Sequence, residues 1–149
     1  MAITRSAWVE LFWRIHKRLY RWSNGRIGAR MANLPVLLLE TVGRKTGTPR
    51  TNALTYLAWG DSCVVIASLL GEPKHPAWYH NLKARPEVFV QVGSRRFEAR
   101  ARDAEDEERD AIWRALVLQS PDYEQYRERT GRRIPVVVLS PIDQARRSA

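Results

Sequence analysis

The sequence predicts a small, mostly antiparallel β-barrel with a few helices packed against it. Three observations predict it. Short apolar segments with strand character crowd the middle of the chain, near 35–42, 50–58, 62–68, 87–92 and 95–102, with a last one at 134–139. Two connections between them are tight turns: Gly43 to Arg50, and the two-residue hairpin signal Gly93-Ser94. Helical periodicity is limited to a few stretches around and between the strands.

Taken in order, residues 6–22 read as a helix, because Trp8, Leu11, Phe12, Ile15, Leu19 and Trp22 recur at three- and four-residue steps. Arg14, Lys17, Arg18 and Arg21 lie mainly on its other face. Such a basic, Trp-rich helix can dock on its own domain, cover a pocket, or lie on an anionic membrane surface. A Gly-containing link follows from Ser23 to Asn33. A helix at about 76–85 starts at Pro76, which suits a first helical turn, and continues through Ala77, Trp78, Tyr79 and Leu82. Asp103 is expected to open the next helix, with Asp106 and Glu107 in its first turn and Ile112, Trp113, Leu116 and Val117 on its apolar face. Pro121 restarts a shorter helix carrying Tyr123 and Tyr126. The expected organisation is therefore an N-terminal helix and linker (1–33), a barrel domain that holds the candidate binding residues (34–142) and a polar tail (143–149).

At 149 residues, 44% apolar and 28% charged, the chain has the composition of one soluble globular domain. Its net charge of +9 is uneven. Residues 1–50 hold ten Lys/Arg against two Asp/Glu, whereas 103–130 hold nine acids and four bases. The basic half attracts polyanions without choosing among nucleic acid, anionic lipid and an acidic cofactor tail. A single cysteine, Cys63, excludes an internal disulfide and suggests a reducing, cytoplasmic setting. His16, His75 and His80 show no ligand spacing, so no metal is assigned. Charged residues interrupt the N-terminus, so no signal peptide is expected, and the apolar runs are too short to span a bilayer.

Three constellations carry candidate chemistry. Gly43-Arg44-Lys45-Thr46-Gly47-Thr48-Pro49-Arg50 places three cations in one turn, either as a fork for phosphate and carboxylate or as a solubilising tip. It is not a nucleotide P-loop, because Arg44 stands where glycine precedes the lysine and Leu39 where the motif begins. Ala67-Ser68 closes a strand and leads to a helix presenting Trp78 and Asn81 on one face, as pocket walls or as core and cap. Tyr123 and Tyr126 share a helical face, as hydrogen-bond donors to a substrate oxygen or as core-edge residues.

In this order, together with Pro76-x-Trp78-Tyr79-x-Asn81-Leu82, these elements closely resemble the deazaflavin-dependent nitroreductase family, from about Leu37 to Pro141. The resemblance implies a split β-barrel like that of FMN-binding barrel proteins. It also implies coenzyme F420, a deazaflavin with a phospholactyl-oligoglutamate tail, as cofactor. Residues implied to bind it are Arg44, Lys45, Thr46 and Arg50 at the anionic tail, Ala67 and Ser68 near the ring, and Trp78 and Asn81 from the helix. Tyr123, Tyr126 and Ser68 are implied on the substrate side. The implied reaction moves a hydride from C5 of the reduced ring to a quinone, enone or nitroaromatic. Three positions depart from the pattern: Ser120 replaces a tyrosine of nitroimidazole-reducing members, Thr55 an aromatic and Leu69 a lysine.

Two other functions compete. One is an FMN or haem-product binder with little turnover. The other is a basic nucleic-acid or membrane-binding module, against which the cations gather in a Gly-Pro turn and no strand carries the interleaved aromatics of RNA binding. The expected partners are thus a small-molecule electron acceptor and no nucleic acid, with residues 6–22 as the candidate contact to the inner membrane face. Monomer and homodimer both remain open.

Overall fold

The computed structural model describes residues 30–31, 34–69 and 73–142. The expected helix at 6–22 and the tail from Asp143 lie outside these residues. In chain order the elements are β1 (Arg30–Met31), β2 (Leu34–Val42), β3 (Pro49–Thr55), β4 (Leu57–Trp59), β5 (Ser62–Ile66), α1 (Ala77–Ala84), β6 (Glu87–Val92) and β7 (Arg95–Asp103). They continue with α2 (Asp106–Gln119), α3 (Asp122–Arg129) and β8 (Val136–Pro141).

All strand pairs are antiparallel, and the sheet runs β2-β6-β7-β8-β5-β4 with β3 on the other side of β2. Only Tyr56 separates β3 from β4, so one bent run of chain joins both ends of the sheet and curls it into a barrel. The expected strand at 50–58 is this run, broken where the chain changes partner. Even at the break, the Tyr56 N–H donates to the Pro35 carbonyl of β2 at 2.9 Å.

Two cores explain the hydrophobic pattern. Inside the barrel, Leu37, Leu39, Val65, Val88, Val90, Ala99, Val137 and Leu139 pack together, and Trp78 and Leu82 of α1 close one end. On the outer face, Val64, Ile66, Val136 and Val138 lie under Ile112, Trp113 and Leu116 of α2 and Tyr123 of α3. Strands β5 and β8 are therefore covered on both faces, which is why Cys63-Val64-Val65-Ile66 and Val136-Val137-Val138-Leu139 are unbroken apolar runs. By contrast β6 alternates, with Val88 and Val90 buried and Phe89 53% exposed.

One boundary differs in kind from expectation. Asp103 does not open a helix: it ends β7, and Glu105 occupies the N-cap position of α2. The Asp103 carboxylate instead accepts from the Tyr79 hydroxyl at 3.1 Å and the Lys83 ammonium at 2.7 Å, tying α1 to β7. Asp106, Glu107 and Glu108 do fill the first turn of α2, where the helix dipole favours them.

Candidate active site

The turn between β2 and β3 is built to hold its shape. The Gly43 N–H donates to the Thr48 carbonyl at 2.8 Å, and the Gly47 N–H to the Gly43 carbonyl at 2.7 Å. Gly47 sits at φ 72°, in the left-handed region that glycine enters without steric cost. At Gly43 any Cβ would lie 2.6 Å from Thr46 Oγ1, inside the loop. The tip is tethered to α1 as well. Asn81, 5% exposed, accepts from the Arg44 N–H at 3.1 Å and donates through Nδ2 to the buried Thr41 hydroxyl at 3.1 Å. Arg44, Lys45 and Arg50 remain exposed.

Between this turn and the start of α1 lies a cleft of about 620 Å³. Arg44, Lys45, Thr46, Arg50, Trp78 and Asn81 all line it. Cross-strand register sets its position. Leu37 pairs with Leu54, Leu39 with Asn52 and Thr41 with Arg50, so these side chains share the barrel's inner face. Arg50 and Asn52 thus stand at the mouth, directly above the inner core that Trp78 caps. The lining contains three cations and no Asp or Glu. A concave surface with one sign of charge over low-dielectric walls concentrates anions.

The other predicted site residues are not in that cleft. Ala67 is fully buried in the inner core and Ser68 is 7% exposed. Tyr123 and Tyr126 meet edge-to-face at 5.4 Å on the outer side, where Tyr123 also packs against Trp113. The Tyr123 hydroxyl lies 2.8 Å from Thr55 Oγ1. Burial pushes the Tyr123 phenol above its ordinary pKa, opposed by the Thr55 hydrogen bond, so it stays protonated at neutral pH. Strand β3 connects the two groups: Arg50 and Thr55 are five residues apart, roughly 17 Å at about 3.4 Å per residue.

Sequence motifs gave no sign of two contributors. Thr41 anchors Asn81 across forty positions, and Arg132 holds the end of β5 through the Ala67 and Ser68 carbonyls at 2.9 and 2.8 Å. Neither belongs to a local pattern. An arginine between a helix and a strand reads from sequence as a solvated turn residue.

A family profile described as F420H(2)-dependent quinone reductase matches residues 11–141. The chain belongs to that family. Among its relatives, the F420H(2)-dependent quinone reductase of Mycobacterium tuberculosis strain H37Rv is 43% identical over 142 residues, covering 93% of this chain and 95% of that protein. A solved F420-H2 dependent reductase, FDR-A, superposes with a TM-score of 0.66 at 38% identity, over 71% of this chain and 94% of the other. A second solved chain, described as a domain-swapped dimer, gives 0.69 at 32% identity over 92% and 100%. The curled antiparallel sheet is accordingly the split barrel of the F420-dependent reductases.

Membership makes this F420H(2)-dependent quinone reductase family protein an F420-dependent reductase with coenzyme F420 as its cofactor. The residues present fit that group. Its phosphate and carboxylates need several cations free of competing acids, and the cleft lining supplies Arg44, Lys45 and Arg50 with none. Among the described residues no helix is long and apolar enough to cross a membrane.

Proposed function

We propose that this enzyme reduces a quinone-like acceptor, with the β2–β3 turn gripping the cofactor's anionic tail. The observation that carries this reading is the acid-free cationic cleft at the barrel mouth. Lys45 and Arg50 bind phosphate and glutamate carboxylates, with Arg44 and the Thr46 hydroxyl beside them. Trp78 walls the cleft from α1, and Asn81 keeps the turn in place. Ala67, Ser68 and the adjoining backbone approach the ring edge.

When bound, the reduced deazaflavin supplies a hydride to the acceptor; the chain's own residues orient the partners, exclude water and handle protons. Tyr123 holds its proton at Oη, where burial keeps it, and with Tyr126 lines the acceptor side as a donor to developing negative charge on oxygen. Its bond to the Thr55 hydroxyl fixes its direction. The structural similarity to a domain-swapped dimer supports homodimer formation by this chain as well.

The decisive experiment compares wild type with the Lys45→Ala/Arg50→Ala double variant, titrated with intact F420 and with the deazaflavin lacking its phospholactyl-glutamate tail. Wild type should prefer the intact cofactor. The double variant should lose about 100-fold or more in affinity for it, as two charge-assisted contacts imply, and bind the tail-less ring as wild type does. Equal affinity of both proteins for the intact cofactor refutes the assignment.

A further inference from the structure

Beyond the cleft, one side chain gathers groups from three parts of the chain around the end of β5. The Arg132 guanidinium donates through Nη2 to the carbonyls of Ala67 at 2.9 Å and Ser68 at 2.8 Å. Through Nη1 it lies 2.8 Å from His75 Nδ1. Arginine only donates, so Nδ1 must accept, and the imidazole is the neutral tautomer with its proton on Nε2. Arg132 is itself held: its backbone N–H donates to the Thr130 hydroxyl at 3.3 Å, and Thr130 is 7% exposed.

The geometry at the strand end explains what such a hold achieves. Ala67 still belongs to the ladder, its N–H donating to the Pro135 carbonyl at 3.0 Å. After it, the carbonyls of two successive residues converge on one guanidinium. In a trans peptide the N–H points opposite to the C=O, so the N–H groups of Ser68 and Leu69 are turned away from Arg132 together. Leu69 then takes φ 45°, a left-handed conformation that a leucine adopts only when its surroundings impose it. Fixing the two preceding peptide planes is one such constraint.

We infer that Arg132 is a positioning residue of the reductase, a clamp that fixes the Ala67–Leu69 corner in the orientation the cofactor ring requires. The inference rests on the proposed approach of that corner to the ring, and on a cation that is not among the residues lining the cleft. His75 is the third arm of the clamp. Burial first, then the Arg132 charge and His80, lower its pKa, while Asp103 opposes them; the Tyr79 ring lies 5.0 Å away and that of His80 5.7 Å. Protonating His75 removes the acceptor and sets two cations against each other. The clamp therefore weakens as pH falls through the lowered His75 pKa.

The test uses the whole chain, without cofactor for one half and with it for the other. In cofactor-free, isotope-labelled protein, Arg132→Lys should shift the Ser68 and Leu69 amide resonances and speed their hydrogen exchange, while resonances of the 43–48 turn stay in place. The His75 imidazole should titrate higher in Arg132→Gln than in wild type. Affinity for the tail-less deazaflavin should fall about tenfold in Arg132→Lys, because the ring then meets a corner whose two peptide planes are no longer fixed. His75→Gln, which keeps a neutral acceptor, should retain wild-type affinity and lose its acid-side pH dependence; His75→Leu should behave like Arg132→Lys. Unmoved Ser68 and Leu69 amides in Arg132→Lys overturn the clamp. Moved amides with unchanged affinity overturn its role toward the cofactor. If wild type takes up no deazaflavin in either form, the proposed function is what fails, and the amide and imidazole measurements show whether the clamp exists regardless.

Discussion

Replacing Asn81 by alanine tests how the cationic turn is held. The carboxamide makes two hydrogen bonds of 3.1 Å, one to Thr41 and one from the Arg44 N–H. Thr41 is 1% exposed, so water does not replace the lost donor, and that arm costs about 1–2.5 kcal/mol. Arg44 is exposed and water can rescue its N–H, so the second arm costs only about 0.5–1.5 kcal/mol. Together these predict about 1.5–4 kcal/mol, or a melting temperature lowered by roughly 3–16 °C in a chain of this length. Affinity for F420 should fall several-fold, because the turn's cations lose their fixed spacing. Asn81→Asp gives the complementary result. A carboxylate still accepts from the Arg44 N–H, and the Thr41 hydroxyl can reverse and donate to it, so stability changes less. The added negative charge beside Arg44, Lys45 and Arg50 should weaken cofactor binding more than alanine does. Calorimetry and a fluorescence titration check both variants. A melting point for Asn81→Ala within about 1 °C of wild type would refute the tether.

Two further outcomes follow from the same geometry. Tyr123→Phe should lower turnover with cofactor affinity nearly unchanged, and it should destabilise the fold by about 0.5–1.5 kcal/mol, because the half-buried Thr55 hydroxyl loses its partner but keeps some access to water. Adding Thr55→Val should then cost less than the sum of the single changes, as a double-mutant cycle by chemical denaturation would show; strict additivity would mean that the hydroxyls do not pair. Tyr79 governs alkaline behaviour: burial, and then the Asp103 carboxylate, push its phenol up to about 12. The unfolded chain releases this proton near pH 10, so the stabilisation is complete below that pH and disappears as pH rises toward 12. Ultraviolet titration should show Tyr79 and the buried Tyr123 ionising later than an ordinary tyrosine, and Tyr79→Phe should remove one late step and reduce the loss of stability over that interval.

Much of the fold was legible because it is local. Strand positions followed from runs of β-branched and aliphatic residues, and the 43–50 turn from its glycines and proline. The break at Tyr56 was not legible, since nothing in Thr51 to Trp59 says that its first part pairs with β2 and its second with β5. Asp103 misled for a related reason. An acid ahead of an acidic helical segment looks like a cap, but the tertiary fold offers it Tyr79 and Lys83, and it ends a strand instead.

The candidate site divides the same way. Arg44, Lys45, Thr46 and Arg50 are contiguous, and Trp78 and Asn81 share a helical face, so sequence alone grouped each set and, through the family pattern, named the cofactor. Sequence could not show that Asn81 is spent on holding Arg44 and Thr41, since those contacts cross about forty residues. Nor could it show that Tyr123 pairs with Thr55, or that Arg132 reaches back to Ala67 and Ser68. Periodicity and turn chemistry act over a few residues and are written in the order of the chain. Which distant polar groups meet depends on how the sheet curls and what each buried group then needs, and only the folded chain decides that.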